Sequence, residues 1–215
     1  MEFAAVALTL VLAAAPSTPQ PAPGPDAPFI EAVQLIQRAS AGDAKAVEPA
    51  VAAFRALNRA NPDQPLYEAY LGSATGLRAR EAWMPWTKLK YAEEALDHAD
   101  RALQALTPAH DRQLVRGAPV GIETRIVAAR LYLRTPDEFF HRHASGRKLI
   151  ADVLARPDFA AAPPPLQAVG QLAAAEAARG RSDSDELAHL KQVLTLAPAS
   201  PAADAARARL KELGQ

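Results

Sequence analysis

From Phe29 onward, apolar residues recur at spacings of three and four, and proline or glycine interrupts them about once per helix length. Phe29 to Ala41 reads as a first helix ended by Gly42. Asp43 caps a second, Ala44 to Ala60, with Val47, Val51, Phe54 and Leu57 on one face and Asn61-Pro62 as its stop. Pro65, suited to a first helical position, opens a third helix to Trp83, and Met84-Pro85 breaks the chain again. A fourth, Thr87 to Leu106, aligns Leu89, Ala92, Leu96, Ala99, Leu103 and Leu106. Thr107 to Gly121, which contains Gly117, Pro119 and Gly121, reads as a loop long for a helical protein. A fifth helix spans Ile122 to Leu133. Thr135-Pro136-Asp137-Glu138 opens a sixth that carries Phe139, Phe140, Leu149, Ile150, Val153 and Leu154 and stops at Pro157. After a second loop come Pro165 to Arg179, Asp183 to Ala197 and Ser200 to Leu213. No segment alternates apolar and polar residues for long, so no strand is expected. The pattern predicts an all-α fold: nine amphipathic helices arranged as antiparallel helical hairpins stacked in order.

Within this pattern, Ala50, Phe54 and Pro62 mark one helix ending, Leu190, Val193 and Pro198 repeat that ending near the C-terminus, and Leu71-Gly72 follows Pro62 at a repeat-like distance. Small residues at such offsets let helices approach closely, and the large one fills the gap between hairpins. These residues resemble the tetratricopeptide (TPR) repeat, with L-G in the first helix, A-x3-F in the second and a closing proline. The resemblance covers about Val47 to Gly76 and Glu186 to Leu213, with Ala202 to Leu213 as a closing capping helix. It implies a short TPR-like solenoid. Thr75 and Ala99 stand where the family favours aromatics, and the Thr107 loop breaks the period. An irregular α-bundle is the competing arrangement. The segment from YLGSATGLRAREAWMPWTKLKY to PDEFFHR also resembles uncharacterised bacterial repeat proteins, to which no activity attaches.

The chain has 215 residues, equal numbers of basic and acidic groups, and no cysteine. Zero net charge argues against a nucleic-acid partner, whose phosphates demand a basic excess. The absence of cysteine excludes disulfides, thiolate metal sites and thiol nucleophiles. Ala4 to Ala15 is an unbroken apolar run. As a helix it would reach about 18 Å, short of a bilayer core but right for the apolar region of a signal peptide. Glu2 and the lack of a basic residue before it depart from that pattern. Residues 1–15 are therefore expected to be a signal peptide cleaved near Ala15, giving a periplasmic or secreted product with no membrane insertion after its removal. Residues 16–28 hold six prolines and read as an extended linker. Residues 29–215 form the TPR-like domain.

Candidate contact residues concentrate in one stretch. Tyr67, Tyr70, Trp83, Trp86 and Tyr91 fall within twenty-five residues of a chain only 6% aromatic, interleaved with Arg78, Arg80, Lys88 and Lys90. Indole and guanidinium groups dominate binding hot spots, so Tyr70, Arg80, Trp83, Trp86 and Lys88, with Arg125 and Arg130 from the fifth helix, are the expected partner-binding set. The competing reading has the tryptophans plugging the joint around Pro85. Glu123 and Arg130, seven residues apart, share a helix face, and a buried Glu123–arginine pair is expected there. Metal and catalytic chemistry find little support. His141 and His143 would diverge on a helix, His98 with Asp97 and Asp100 lies on an ordinary charged face, and Glu68 with Glu81 is an unremarkable carboxylate pair. No hydrolase, phosphate-loop or dinucleotide motif occurs. The expectation is a non-catalytic scaffold for a protein or peptide, without cofactor or metal and with its oligomeric state open. The alternative is a small-ligand receptor or enzyme with a pocket lined by residues 67–91.

Overall fold

A computed structural model describes residues 26–215. The expected signal peptide and the linker as far as residue 25 lie outside the described residues. Helix α1 (Ala27–Ser40) starts inside the expected linker, because Pro28 falls in its first turn, where a missing N–H costs nothing. Asp43 caps a 3-10 turn, Ala44–Ala46, that leads into α2 (Val47–Ala60). Helices α3 (Pro65–Glu81) and α4 (Pro85–Gln104) each begin on a proline.

The expected long loop contains a hairpin. Strands β1 (Leu114–Val115) and β2 (Ala118–Pro119) pair antiparallel, Leu114 with Pro119 and Val115 with Ala118. The two residues between them, Arg116 (φ 55°) and Gly117 (φ 74°), both adopt the left-handed conformation that a tight hairpin turn requires. Helix α5 (Val120–Arg134) follows directly.

The expected sixth helix is divided. A single turn, α6 (Asp137–Phe140), ends at His141 with φ 52°, and α7 (His143–Leu154) starts afresh. Asp137 explains the break: its carboxylate accepts the His143 backbone N–H at 2.8 Å and so serves the start of the second helix. Phe139, expected on an apolar face, is 61% exposed. One turn, α8 (Pro157–Ala160), precedes α9 (Pro164–Ala178), α10 (Asp183–Leu196) and α11 (Pro201–Glu212). Ser182 and Ser200 cap the last two, accepting the N–H of Asp185 and Ala203.

The described chain is all-α apart from that hairpin. Packing follows chain order. Helix α1 lies against α2 and α3, α3 against α4 and α5, α5 against α7 and α9, and α9 against α10 and α11. The core is correspondingly a series of clusters. Phe29, Val51, Phe54, Leu66 and Leu71 fill the first, Ile122, Ile126, Ile150, Val153 and Phe159 a middle one, and Leu172, Leu190, Val193, Ala203 and Leu210 the last. Close approach between hairpin partners depends on glycine. A methyl on Gly72 would lie 2.9 Å from the Ala95 carbonyl oxygen, and one on Gly146 3.1 Å from that of Ala129.

Candidate functional site

The α3–α4 corner is built by backbone geometry. Ala82 turns extended (ψ 138°), and Pro85 fixes the next helix start, with the Met84 carbonyl accepting from the N–H of both Thr87 and Lys88 at 3.0 Å. Nothing packs over the joint. Trp83 is 90% exposed and Trp86 65%, with Met84 and Leu89 partly exposed beside them. The tryptophans therefore do not plug the corner. Lys88 and Lys90 are exposed there too, and neither forms an ion pair among the described residues. Behind the corner, Arg78 binds Glu48 of α2 and lies over the Tyr91 ring at 5.7 Å. A hollow of about 250 Å³ lies here, with Val47, Glu48, Arg78, Glu81 and Tyr91 in its wall.

The other candidates go elsewhere. Arg80 turns back to α1, where its guanidinium donates to the Ala39 and Ser40 carbonyl oxygens and closes that helix's C-terminal end. Arg125 binds Asp111 at 2.6 Å, and Gly121 makes room for the pair, since a methyl on it would strike the Asp111 carboxylate. Arg130 binds Glu176 at 3.1 and 3.2 Å. Neither arginine converges beneath Trp86, and the hollow near the corner is lined by neither tryptophan. From residues 67–91 the hollow takes Arg78, Glu81, Ala82 and Tyr91. Trp83, Trp86 and Lys88 share one surface; Tyr70, Arg80, Arg125 and Arg130 bind neighbours within the fold and are not brought to it.

Tyr70 belongs to a buried network. Its ring stacks on Phe54 at 5.1 Å and meets Phe29 edge-on, and its hydroxyl donates to Glu123 at 2.6 Å. The expected Glu123–arginine pair exists, but the arginine is Arg116 from the hairpin turn, not Arg130. The Arg116 guanidinium also lies 4.8 Å above Phe29, and its backbone N–H donates to Asp26. Burial raises the Glu123 carboxyl despite Arg116 and Tyr70, and its second oxygen has no partner. Burial, and then the Glu123 charge, raise the Tyr70 phenol.

The charged cluster around His98 is also internally paired. His98 Nδ1 meets Glu68 at 2.9 Å, with Arg101 on the same carboxylate, while Asp100 serves Tyr132 and Arg142. Among the described residues no three His, Asp or Glu side chains gather as a metal site. Comparison adds nothing to this picture. No protein-family model, curated protein or solved structure matches the chain.

Sequence reasoning missed one feature. A cleft of about 510 Å³ opens where the C-terminal ends of α5 and α9 meet the starts of α7 and α10, with α11 closing one side. Arg134, Arg147, Arg179 and Arg209 line it, as do Glu176 and Glu186. Burial alone would raise the Glu176 carboxyl, but Arg130 and Arg134 hold it down at about 2. Glu186, 1% exposed, is bound by Arg209 at 2.6 Å and approached by Arg179 at 3.5 Å. Arg134 is shifted down first by the charge of Arg130 and then by burial. The arginines come from positions 134 to 209 with no common spacing, so no sequence signal joins them.

Proposed function

We propose that this chain is a non-catalytic, TPR-like scaffold, exported after removal of a signal peptide, that holds a protein or peptide partner at the α3–α4 corner. One observation carries the reading: Trp83 and Trp86, the chain's two tryptophans, stand in solvent while the other large apolar side chains are mostly packed in the core. Covering a large apolar side chain is worth roughly 1.5–3 kcal/mol. A run of apolar groups left open together, Trp83, Met84, Trp86 and Leu89, is the kind of surface a partner covers. Lys88 and Lys90 at its rim favour a partner with acidic residues beside its apolar contact. Packing in chain order and the Gly72–Ala95 approach support the repeat reading of the scaffold.

The test is capture of partners from a periplasmic extract with the wild-type chain and with a Trp86→Ala, Lys88→Ala double variant. Both side chains are exposed, so the variant keeps its stability within about 0.5 kcal/mol. It should lose the partner. Capture of the same proteins by both chains would refute the corner as a docking surface. Export is checked separately, by sequencing the N-terminus of the mature product: a start just after Ala15 is expected, and a start at Met1 would overturn it.

A further inference from the structure

We propose that the arginine-lined cleft between α5, α7, α9, α10 and α11 binds a small organic anion, a phosphate or carboxylate on an apolar body. The argument begins with a charge imbalance. Arg134, Arg147, Arg179 and Arg209 line the cleft against two carboxylates, Glu176 and Glu186. Both carboxylates are already engaged: Arg130 and Arg134 share Glu176, and Arg209 and Arg179 share Glu186, while Arg209 also takes Glu212 at 2.9 Å, leaving five arginines to three glutamates. The Arg147 side chain is partly buried in the wall and forms no ion pair or hydrogen bond among the described residues; its charge acts on Asp137 only from beyond bonding distance. Guanidinium does not give up its proton in a protein, so deprotonation cannot relieve the excess. A bound anion can.

The walls supply the rest of the specificity. Leu133, Leu172, Ala175 and Leu190 give an apolar lining, and about 510 Å³ lies within the range of small-molecule sites. The two glutamates hold their arginines in place and would repel a ligand whose charge reached past the guanidinium forks. An anion with an apolar body therefore places its charge by Arg147 and Arg134 and its body against the leucines. This site is separate from the α3–α4 corner, and its test is independent of partner capture.

Titration calorimetry at low ionic strength would use three probes: phenyl phosphate, phenylacetate and inorganic phosphate. Phenyl phosphate against phenylacetate distinguishes the two oxyanions, and inorganic phosphate tests the need for the apolar body. At least one organic probe should bind the wild type with one-to-one stoichiometry. Its affinity should fall at least about tenfold in Arg147→Gln, which breaks no pair in the fold. It should fall as much in Ala205→Glu, which adds a carboxylate on the exposed rim. Arg59→Gln, on the exposed side of α2, should bind like wild type. The proposal is overturned if neither organic probe saturates at millimolar concentration, or if the Arg147 and Ala205 variants bind unchanged. Inorganic phosphate binding as tightly as phenyl phosphate, an adventitious ion only, would overturn it as well.

Discussion

Replacing Gly72 by alanine sets two opposed effects against each other. Alanine is favoured over glycine inside a helix by about 0.8–1.0 kcal/mol, so on propensity alone the variant should be more stable. At Gly72 the new methyl would lie 2.9 Å from the Ala95 carbonyl oxygen, 3.0 Å from the His98 β-carbon and 3.4 Å from a Leu131 methyl. Two of those neighbours are backbone or backbone-proximal atoms of α4, so relief requires moving the helix. Such overpacking costs about 1–3 kcal/mol. The net expectation is a loss of about 1 kcal/mol, a fall in Tm of roughly 2–4 °C for a chain of this size. Gly76, one turn further along α3, is the internal control. Its added methyl meets only the end of Leu131 at 3.1 Å and the Ala95 side chain at 3.9 Å. Leu131 can rotate, so Gly76→Ala should be neutral or more stable by up to about 1 kcal/mol. Urea unfolding of the two variants, followed by circular dichroism, measures the difference directly. Equal stabilities would refute the claim that α3 and α4 are held apart by nothing but hydrogen at position 72.

Two further outcomes concern buried carboxylates, with opposite signs. Glu176 has its folded pKa lowered from 4.5 to about 2, so it stabilises the fold above 4.5 and loses that contribution as pH falls toward 2. The shift corresponds to about 3 kcal/mol at most, and urea midpoints between pH 2 and 6 should fall less steeply in Glu176→Gln than in wild type; parallel profiles would contradict the assignment. Glu123 has its folded pKa raised above 4.5, so ionising it costs stability as pH rises from that value. Glu123→Gln should remove this slope while keeping an acceptor for Tyr70, giving a midpoint gain over wild type that grows between pH 4.5 and 7; a gain that is constant with pH would count against it.

Helix starts were the most legible part of the sequence, because proline in a first turn and Asp or Ser caps act within a few residues. The corner tryptophans were legible as a cluster, but their exposure was not, since an indole beside a proline joint suits either a plug or an open face. The split at His141 escaped because Asp137 satisfies a helix-start pattern at its own position and then also serves the start six residues later. The turn at Arg116-Gly117 escaped because arginine is not a residue that favours positive φ. Glu123 was expected to form a buried pair with an arginine, and it does, with a partner supplied by a turn whose position depends on tertiary contacts. The cleft was the least legible feature, being assembled from five helices.

The contacts of Arg116 have a consequence for the order in which the chain matures. Its backbone N–H reaches Asp26 across ninety positions, and Tyr70 reaches Glu123 across fifty-three, whereas most helix packing joins immediate neighbours. Linking distant positions is slow compared with zipping adjacent hairpins, because the intervening chain must first be confined. As the polypeptide leaves the ribosome, α1 to α4 can pair early, but Phe29 gains its lid and Tyr70 its acceptor only once Glu123 has been synthesised. Among the described residues the contacts of that clasp run from Asp26 to Glu123, so replacing Asp26 would free the backbone of the hairpin turn from the start of the first helix while leaving the Tyr70–Glu123 bond in place.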